Sequence, residues 1–434
     1  MAQVLSSTDP GFDARFEALL AIKREASPDV DAAVAEIVAD VRARGDDALI
    51  DLTRRFDRLA LTPETLAFGT DEIDAAIARV PAAERTALEL AADRIRAYHE
   101  RQLPEDARWT DAQGVTLGWR WTPVDSAGLY VPGGRASSPS AVLMNAIPAR
   151  VAGVARLVIA APTPDGVTNP LVLLAARLCG VETVYRIGGA QAVAALAYGT
   201  GSIAPVDKIT GPGNAFVAAA KRRVFGTVGI DAIAGPSEIL VIADRDNDPD
   251  WIALDLLSQA EHDDSAQSIL MTDDADFGRA VAAAVARRLE TLDRRAIAAA
   301  SWRDFGAIIT VRDLEEAAAL GNRIAPEHLA LCVADPEALA ARIRHAGAVF
   351  LGAWTPEAIG DYVAGPNHVL PTARSARFSG GLGVLDFMKR TTVAQMTPAA
   401  LAAMGPAAEA LARSEGLQAH GASVRARLER RNAG

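Results

Sequence analysis

Glu327 and His328 stand side by side in the segment Ile324-Ala-Pro-Glu-His-Leu329. A carboxyl and an imidazole in neighbouring positions can divide proton work between two atoms of one substrate. Histidine titrates close to neutral pH, and burial tunes a glutamate up towards it. Adjacent Glu-His arises by chance in many chains, so the pair gains its weight from its surroundings. Gln259 and His262 lie upstream, and Asp361, His368 and Glu415-Gly-Leu-Gln-Ala-His420 lie downstream.

Gln259 and His262 are three residues apart at the end of a helix expected over Trp251–Glu261, so their side chains share one face. With the distant Asp361 and His420 they offer a mixed nitrogen and oxygen set that suits zinc or another first-row divalent ion. A hydrogen-bonded core residue is the competing reading for a lone histidine on such a helix. Glycine-rich turns provide a second type of chemistry: Val131-Pro-Gly-Gly134, Gly188-Gly-Ala-Gln191, Gly211-Pro-Gly-Asn214 and Gly235-Pro-Ser-Glu238. Where such turns follow parallel strands, the backbone can approach phosphates, and Gly211–Val217 suits a pyrophosphate. No G-x-G-x-x-G fingerprint occurs, so the residues alone leave a nucleotide site and ordinary strand–helix turns both open.

The elements that must position these groups fall into four segments. Residues 1–105 are expected to be helical, from the three- and four-residue spacing of apolar positions in Val30–Arg44 and Asp71–Tyr98. Pro81 should divide the latter stretch, Ser27-Pro28 and Leu61–Glu64 are helix-start signals, and His99-Glu100 reads as a solvated or capping pair. Residues 106–236 alternate strands with helices. The strands are Ala127–Val131, Leu157–Ala161, Thr183–Ile187 and Asp207–Ile209; the helices are Ala141–Ala152, Pro170–Leu178, Ala190–Ala197 and Ala215–Phe225. Residues 237–380 repeat the texture with strands Ile239–Ala243, Ser268–Met271, Ala307–Thr310, Leu329–Val333 and Val349–Leu351. Both halves predict a parallel sheet covered on its two faces, hence an α/β fold with two doubly wound domains. Residues 381–434 form a tail with a strand-like piece, Gly383–Arg390, and helices Pro398–Ser414 and Gln418–Arg431. A tail of this length bearing a histidine is a candidate for reaching a partner subunit; packing on its own domain is the plainer alternative.

Composition narrows the function. The 434 residues exceed one ordinary core, and half of them are hydrophobic. A net charge of −11 argues against nucleic acid or an anionic membrane as the main partner. Cys179 and Cys332 sit in apolar settings and read as buried thiols, which suits a reducing cytoplasm. The N-terminus lacks the apolar stretch of a signal peptide, and no run is long enough to cross a membrane.

Taken in order, the motifs resemble the histidinol dehydrogenase family along almost the whole chain. They are Gly128-Leu-Tyr-Val-Pro-Gly-Gly134, Val142-Leu-Met-Asn-Ala-Ile-Pro148, Ile187–Val193, Gly211-Pro-Gly-Asn214, Ala234-Gly-Pro-Ser-Glu238 and Leu257-Ser-Gln-Ala-Glu-His262. Ala325-Pro-Glu-His-Leu329, Gly365-Pro-Asn-His368, Asp386–Arg390 and Glu415–His420 with Ser423-Val-Arg425 complete the series. Ser138 and Ala232 depart from the family pattern. The resemblance implies two incomplete Rossmann-like domains with smaller N-terminal helical and C-terminal tail domains. It implies zinc on Gln259, His262, Asp361 and His420, with His420 supplied by the partner in a homodimer. Glu327 and His328 match the acid–base pair, and Ser237, His368 and Glu415 match substrate contacts. Tyr130, Gln191 and Asn214 match positions that hold NAD. The implied reaction takes L-histidinol through L-histidinal to L-histidine. A relative acting on another amino alcohol is the nearest rival. A zinc hydrolase is disfavoured by the glycine-rich strand ends and the absence of H-E-x-x-H, and a non-catalytic nucleotide binder by the full metal and acid–base sets.

Overall fold

The computed structural model describes residues 2–22, 28–133, 138–233 and 235–432. Ser27, Gly134 and Ala234, all named among the sequence motifs, lie outside the described residues. Contacts group the chain into two units, Met1–Gln102 with Asp125–Phe387, and Leu103–Val124 with Met388–Gly434.

The first unit holds two parallel sheets. In the five-stranded sheet, strands Ser126–Tyr130, Arg156–Ala160, Thr183–Tyr185, Lys208–Thr210 and Gly229–Ile230 lie in the order third, second, first, fourth, fifth. The six-stranded sheet repeats this order with Glu238–Ala243, Gln267–Thr272, Ala307–Thr310, His328–Cys332 and Ala348–Leu351. Its sixth member is Gln3–Ser6, which pairs in parallel with Ala307–Thr310 at the edge. The doubly wound α/β class is therefore as expected, twice over, with a topological switch between first and fourth strands in each sheet.

Parallel strands buried on both faces read as continuous apolar runs, and Glu238–Ala243 (EILVIA) is buried at every position. The pleat sorts its side chains: Leu240 and Ile242 join one core, and Ile239, Val241 and Ala243 join the other. Helix Pro249–Ala260 starts where Asp248 accepts from the Asp250 N–H and Pro249 needs no partner for a missing N–H. The N-terminal helices Pro28–Arg44 and Asp46–Asp57 pack Val34, Val38, Val41, Leu49 and Leu52 against the core of the five-stranded sheet. Pro81 separates helices Thr70–Ile77 and Ala82–Glu100, as its missing N–H requires.

Other local expectations fail. Leu61–Glu64 begins only a short 3-10 turn, Pro63–Thr65. His99 is fully buried, with its Nδ1–H donating to the Ile95 carbonyl at 2.8 Å. The strand Gln3–Ser6 interrupts the expected all-helical start.

The second unit joins strands far apart in sequence. Ala107–Thr110, Thr116–Pro123 and Met388–Gln395 form one antiparallel sheet. The strand-like piece expected at Gly383–Arg390 is displaced: Val384–Phe387 is a 3-10 turn, and the strand follows it. Helices Pro398–Ser414 and Gln418–Asn432 pack closely at Gly405, where a Cβ would come within 3.0 Å of Val424. Arg425 pairs with Glu409 across them. Among the described residues, no helix is long and apolar enough to cross a membrane.

Candidate active site

His328 opens its strand beside Ile239, so Glu327 and His328 sit at the amino end of the six-stranded sheet, at its switch. Both are buried. A carbonyl can only accept, so the 2.9 Å contact from His328 Nδ1 to the Glu238 oxygen gives Nδ1 the proton of the neutral ring. His328 Nε2 then keeps its lone pair, and no hydrogen-bond partner reaches it among the described residues. Burial lowers the His328 pKa, which keeps the ring neutral. Glu327 moves the other way: burial raises it well above the ordinary carboxylate range, although the Glu238 N–H donates to its Oε2 at 2.8 Å. Adjacent residues thus hold a neutral base and a carboxyl tuned upward.

Around His328 the chain gathers further donors. Asp361 Oδ1 lies 3.9 Å from His328 Nε2 and 3.9 Å from His368 Nδ1. His368 Nδ1–H donates to the Asp361 carbonyl at 3.0 Å. Gln259, fully buried in the last turn of its helix, donates through Nε2 to His262 Nδ1 at 3.3 Å, and its Oε1 has no partner among the described residues. Glu357 was missed by the sequence reading. Its Oε1 lies 3.6 Å from His328 Nε2, and the nearest ligand atoms of His328, Glu357 and Asp361 fall within 4.8 Å of one another. The four-residue step from Glu357 to Asp361 on helix Glu357–Tyr362 was the available signal. Two buried oxygens without partners, Gln259 Oε1 and Glu357 Oε1, together with the Asp361 carboxylate and the His262 imidazole, fit a divalent cation. Burial, followed by the nearby Glu357 carboxylate, raises the pKa of Asp361.

A cleft of about 970 Å³ joins this cluster to the five-stranded sheet, and Ser237, His262, Glu327, His368, Tyr130 and Asn214 line it. Its volume suits a cofactor-sized ligand. Tyr130 ends the first strand and Gly211 follows the fourth, so both stand at the carboxyl-end switch of that sheet. Gly211 is required there: its φ is +117° and a Cβ would sit 2.0 Å from the Tyr130 carbonyl oxygen. Its carbonyl accepts from buried Lys221 Nζ at 3.0 Å, and its N–H donates to Asp231, the ion-pair partner of Lys221. Asn214 caps helix Ala215–Val224 by accepting from the Phe216 and Val217 N–H groups. The Tyr130 hydroxyl accepts from the Gly189 N–H at 3.1 Å, and burial pushes its pKa up to about 12. Gln191 is buried in the first turn of helix Gly189–Tyr198, behind Gly189 and off the cleft wall.

Asn367 donates to the Met144 carbonyl at 2.6 Å and contacts His99 Nε2, which anchors the segment carrying His368. Ser138, which departs from the family pattern, caps helix Pro139–Ala152 by accepting from the Ala141 N–H, a reason for a hydroxyl there. Both cysteines are buried and free, with thiol pKa values pushed up to about 12 by burial. Glu415 and His420 belong to the second unit and are exposed, Glu415 at the end of one helix and His420 in the first turn of the next.

Two doubly wound sheets, with a buried carboxylate–imidazole cluster beside the cleft, place the chain in the α/β class and give that cluster groups able to exchange protons or hold a cation. The histidinol dehydrogenase family model matches residues 21–428. A histidinol dehydrogenase of Ruegeria pomeroyi is 76% identical over 432 residues, covering 100% of both chains. That of Cereibacter sphaeroides is 77% identical over 434 residues, again covering 100% of both. The crystal structure of histidinol dehydrogenase from Elizabethkingia anophelis superposes with a TM-score of 0.94 at 36% identity, over 99% of each chain. The chain belongs to the histidinol dehydrogenase family, and it is an oxidoreductase.

Proposed function

We propose that this chain oxidises L-histidinol to L-histidine through L-histidinal, with zinc and two NAD, in the last steps of histidine biosynthesis. The observation that carries the reading is the His328 ring: neutral, oriented by the Glu238 carbonyl, and without a hydrogen-bond partner at Nε2 among the described residues. Its relatives' names supply the substrate.

Gln259, His262, Asp361 and His420 would hold zinc, which supplies orientation and positive charge to the substrate's imidazole and amine. Tyr130, Gln191 and Asn214 would hold NAD, which takes a hydride in each oxidation. His328 takes the hydroxyl proton at Nε2 as the alcohol is oxidised. Glu327, with Oε2 occupied by the Glu238 N–H, turns Oε1 to a water and activates it for addition to the aldehyde. His328 then serves again on the hydrate. Ser237 and His368 contact the substrate from the cleft wall. Glu415 and His420 would come from the partner in a homodimer. Two buried free thiols support a cytoplasmic setting.

NADH formed per histidinol consumed tests the reading. Two NADH is the expected result. One would reduce the enzyme to a simple alcohol dehydrogenase, and none would leave a hydrolase or a binding protein.

A further inference from the structure

We propose that Glu357 is a further oxygen donor to the divalent cation, beyond Gln259, His262, Asp361 and His420. The inference rests on the zinc reading above and extends it.

Glu357 is only 2% exposed and stands one turn before Asp361, so the two carboxylates project from the same side of helix Glu357–Tyr362. Its Oε2 accepts from the Ser258 hydroxyl at 3.1 Å. Ser258 directly precedes Gln259, so the turn that presents Gln259 also aims the Glu357 carboxylate. Oε1 is left without a hydrogen-bond partner, facing His328 Nε2 and close to Asp361. Among the described residues, neither Glu357 nor Asp361 pairs with a lysine or arginine. A buried carboxylate in that position is costly unless a cation meets it.

One consequence separates this set from the expected one. Gln259, His262, Glu357 and Asp361 all belong to the first unit, which therefore offers four donors without His420. The first unit should retain a cation, more weakly, when His420 is removed.

Zinc affinity is measured on metal-stripped protein by chelator competition, with cobalt absorption as an independent report on the ligand set. Glu357→Gln should weaken zinc about 10–100-fold, as loss of a metal-supporting carboxylate does, and should change the cobalt spectrum. His420→Ala should still bind zinc, and the double variant should bind none. Wild-type zinc affinity in Glu357→Gln would overturn the proposal even if activity fell, since Glu357 would then be a substrate contact. A wild-type enzyme that holds no metal and ignores chelators would instead strike the zinc reading itself. Should Glu357→Gln not fold, Glu357→Asp keeps the charge and withdraws the oxygen by one methylene. Its zinc affinity must fall, and an unchanged value refutes the assignment.

Discussion

Asp255 offers a quantitative check on the electrostatics beneath the site. It lies on helix Pro249–Ala260, one turn before Gln259 and near Glu357. Burial raises its pKa from an ordinary 3.8 to about 6, and no ion-pair partner offsets the cost among the described residues. That gap corresponds to about 3 kcal/mol, at roughly 1.4 kcal/mol per pH decade. The sign follows from proton binding. Below about pH 4 the carboxyl is protonated both folded and unfolded, so burial costs nothing extra. Between about pH 4 and 6 the unfolded chain ionises first, and stability falls as pH rises. Above about pH 6 the full penalty persists. Asp255→Asn should therefore raise the melting temperature of metal-stripped protein at pH 8 by roughly 4 °C, taking ~2.1 cal/mol/K per residue over the first unit. The gain should vanish at pH 4. Zinc loading should shrink it, because a cation near Glu357 and Asp361 offsets the Asp255 charge. A gain that is the same at pH 4 and pH 8, or no gain at pH 8, would refute burial as the cause.

Two functional outcomes follow from the site. His328→Ala should slow both oxidations about 10²–10⁴-fold, the usual worth of a positioned base, while Glu327→Gln should spare alcohol oxidation more than aldehyde oxidation. Separate assays with histidinol and histidinal resolve this, and equal losses in Glu327→Gln would remove the division of labour. His328→Ala and His420→Ala subunits, each inactive alone, should regain activity when mixed and reassembled. No recovery would mean that His420 serves its own subunit.

Local patterns carried most of the fold. Short β-branched apolar runs such as Ile239–Ala243, bounded by turn residues, read as buried strands, and Pro81 reads as a helix boundary, because these are properties of neighbouring residues. The motif series likewise made the family legible, and with it Glu327, His328, Gln259, His262 and Asp361 as candidates. Pairings between distant segments left no such trace. Gln3–Ser6 has only two apolar residues to declare it, and pairs as a strand at the edge presented by Ala307–Thr310. The sheet of Ala107–Thr110, Thr116–Pro123 and Met388–Gln395 depends on segments separated by most of the chain.

At the site the same boundary holds. Sequence order determined which side chains can bear protons or bind a cation, and the three-residue step at a helix end brought Gln259 and His262 within reach of each other, although His262 lies just past the last helical residue. Tertiary structure alone decided that His328 gives its Nδ1 proton to the Glu238 carbonyl, that Glu327 is buried enough to rise in pKa, and that Glu357 meets Asp361 and His328. The reason is physical: residue type sets what a group can do, whereas protonation, tautomer and the company a charge keeps are set by burial and by neighbours from other strands.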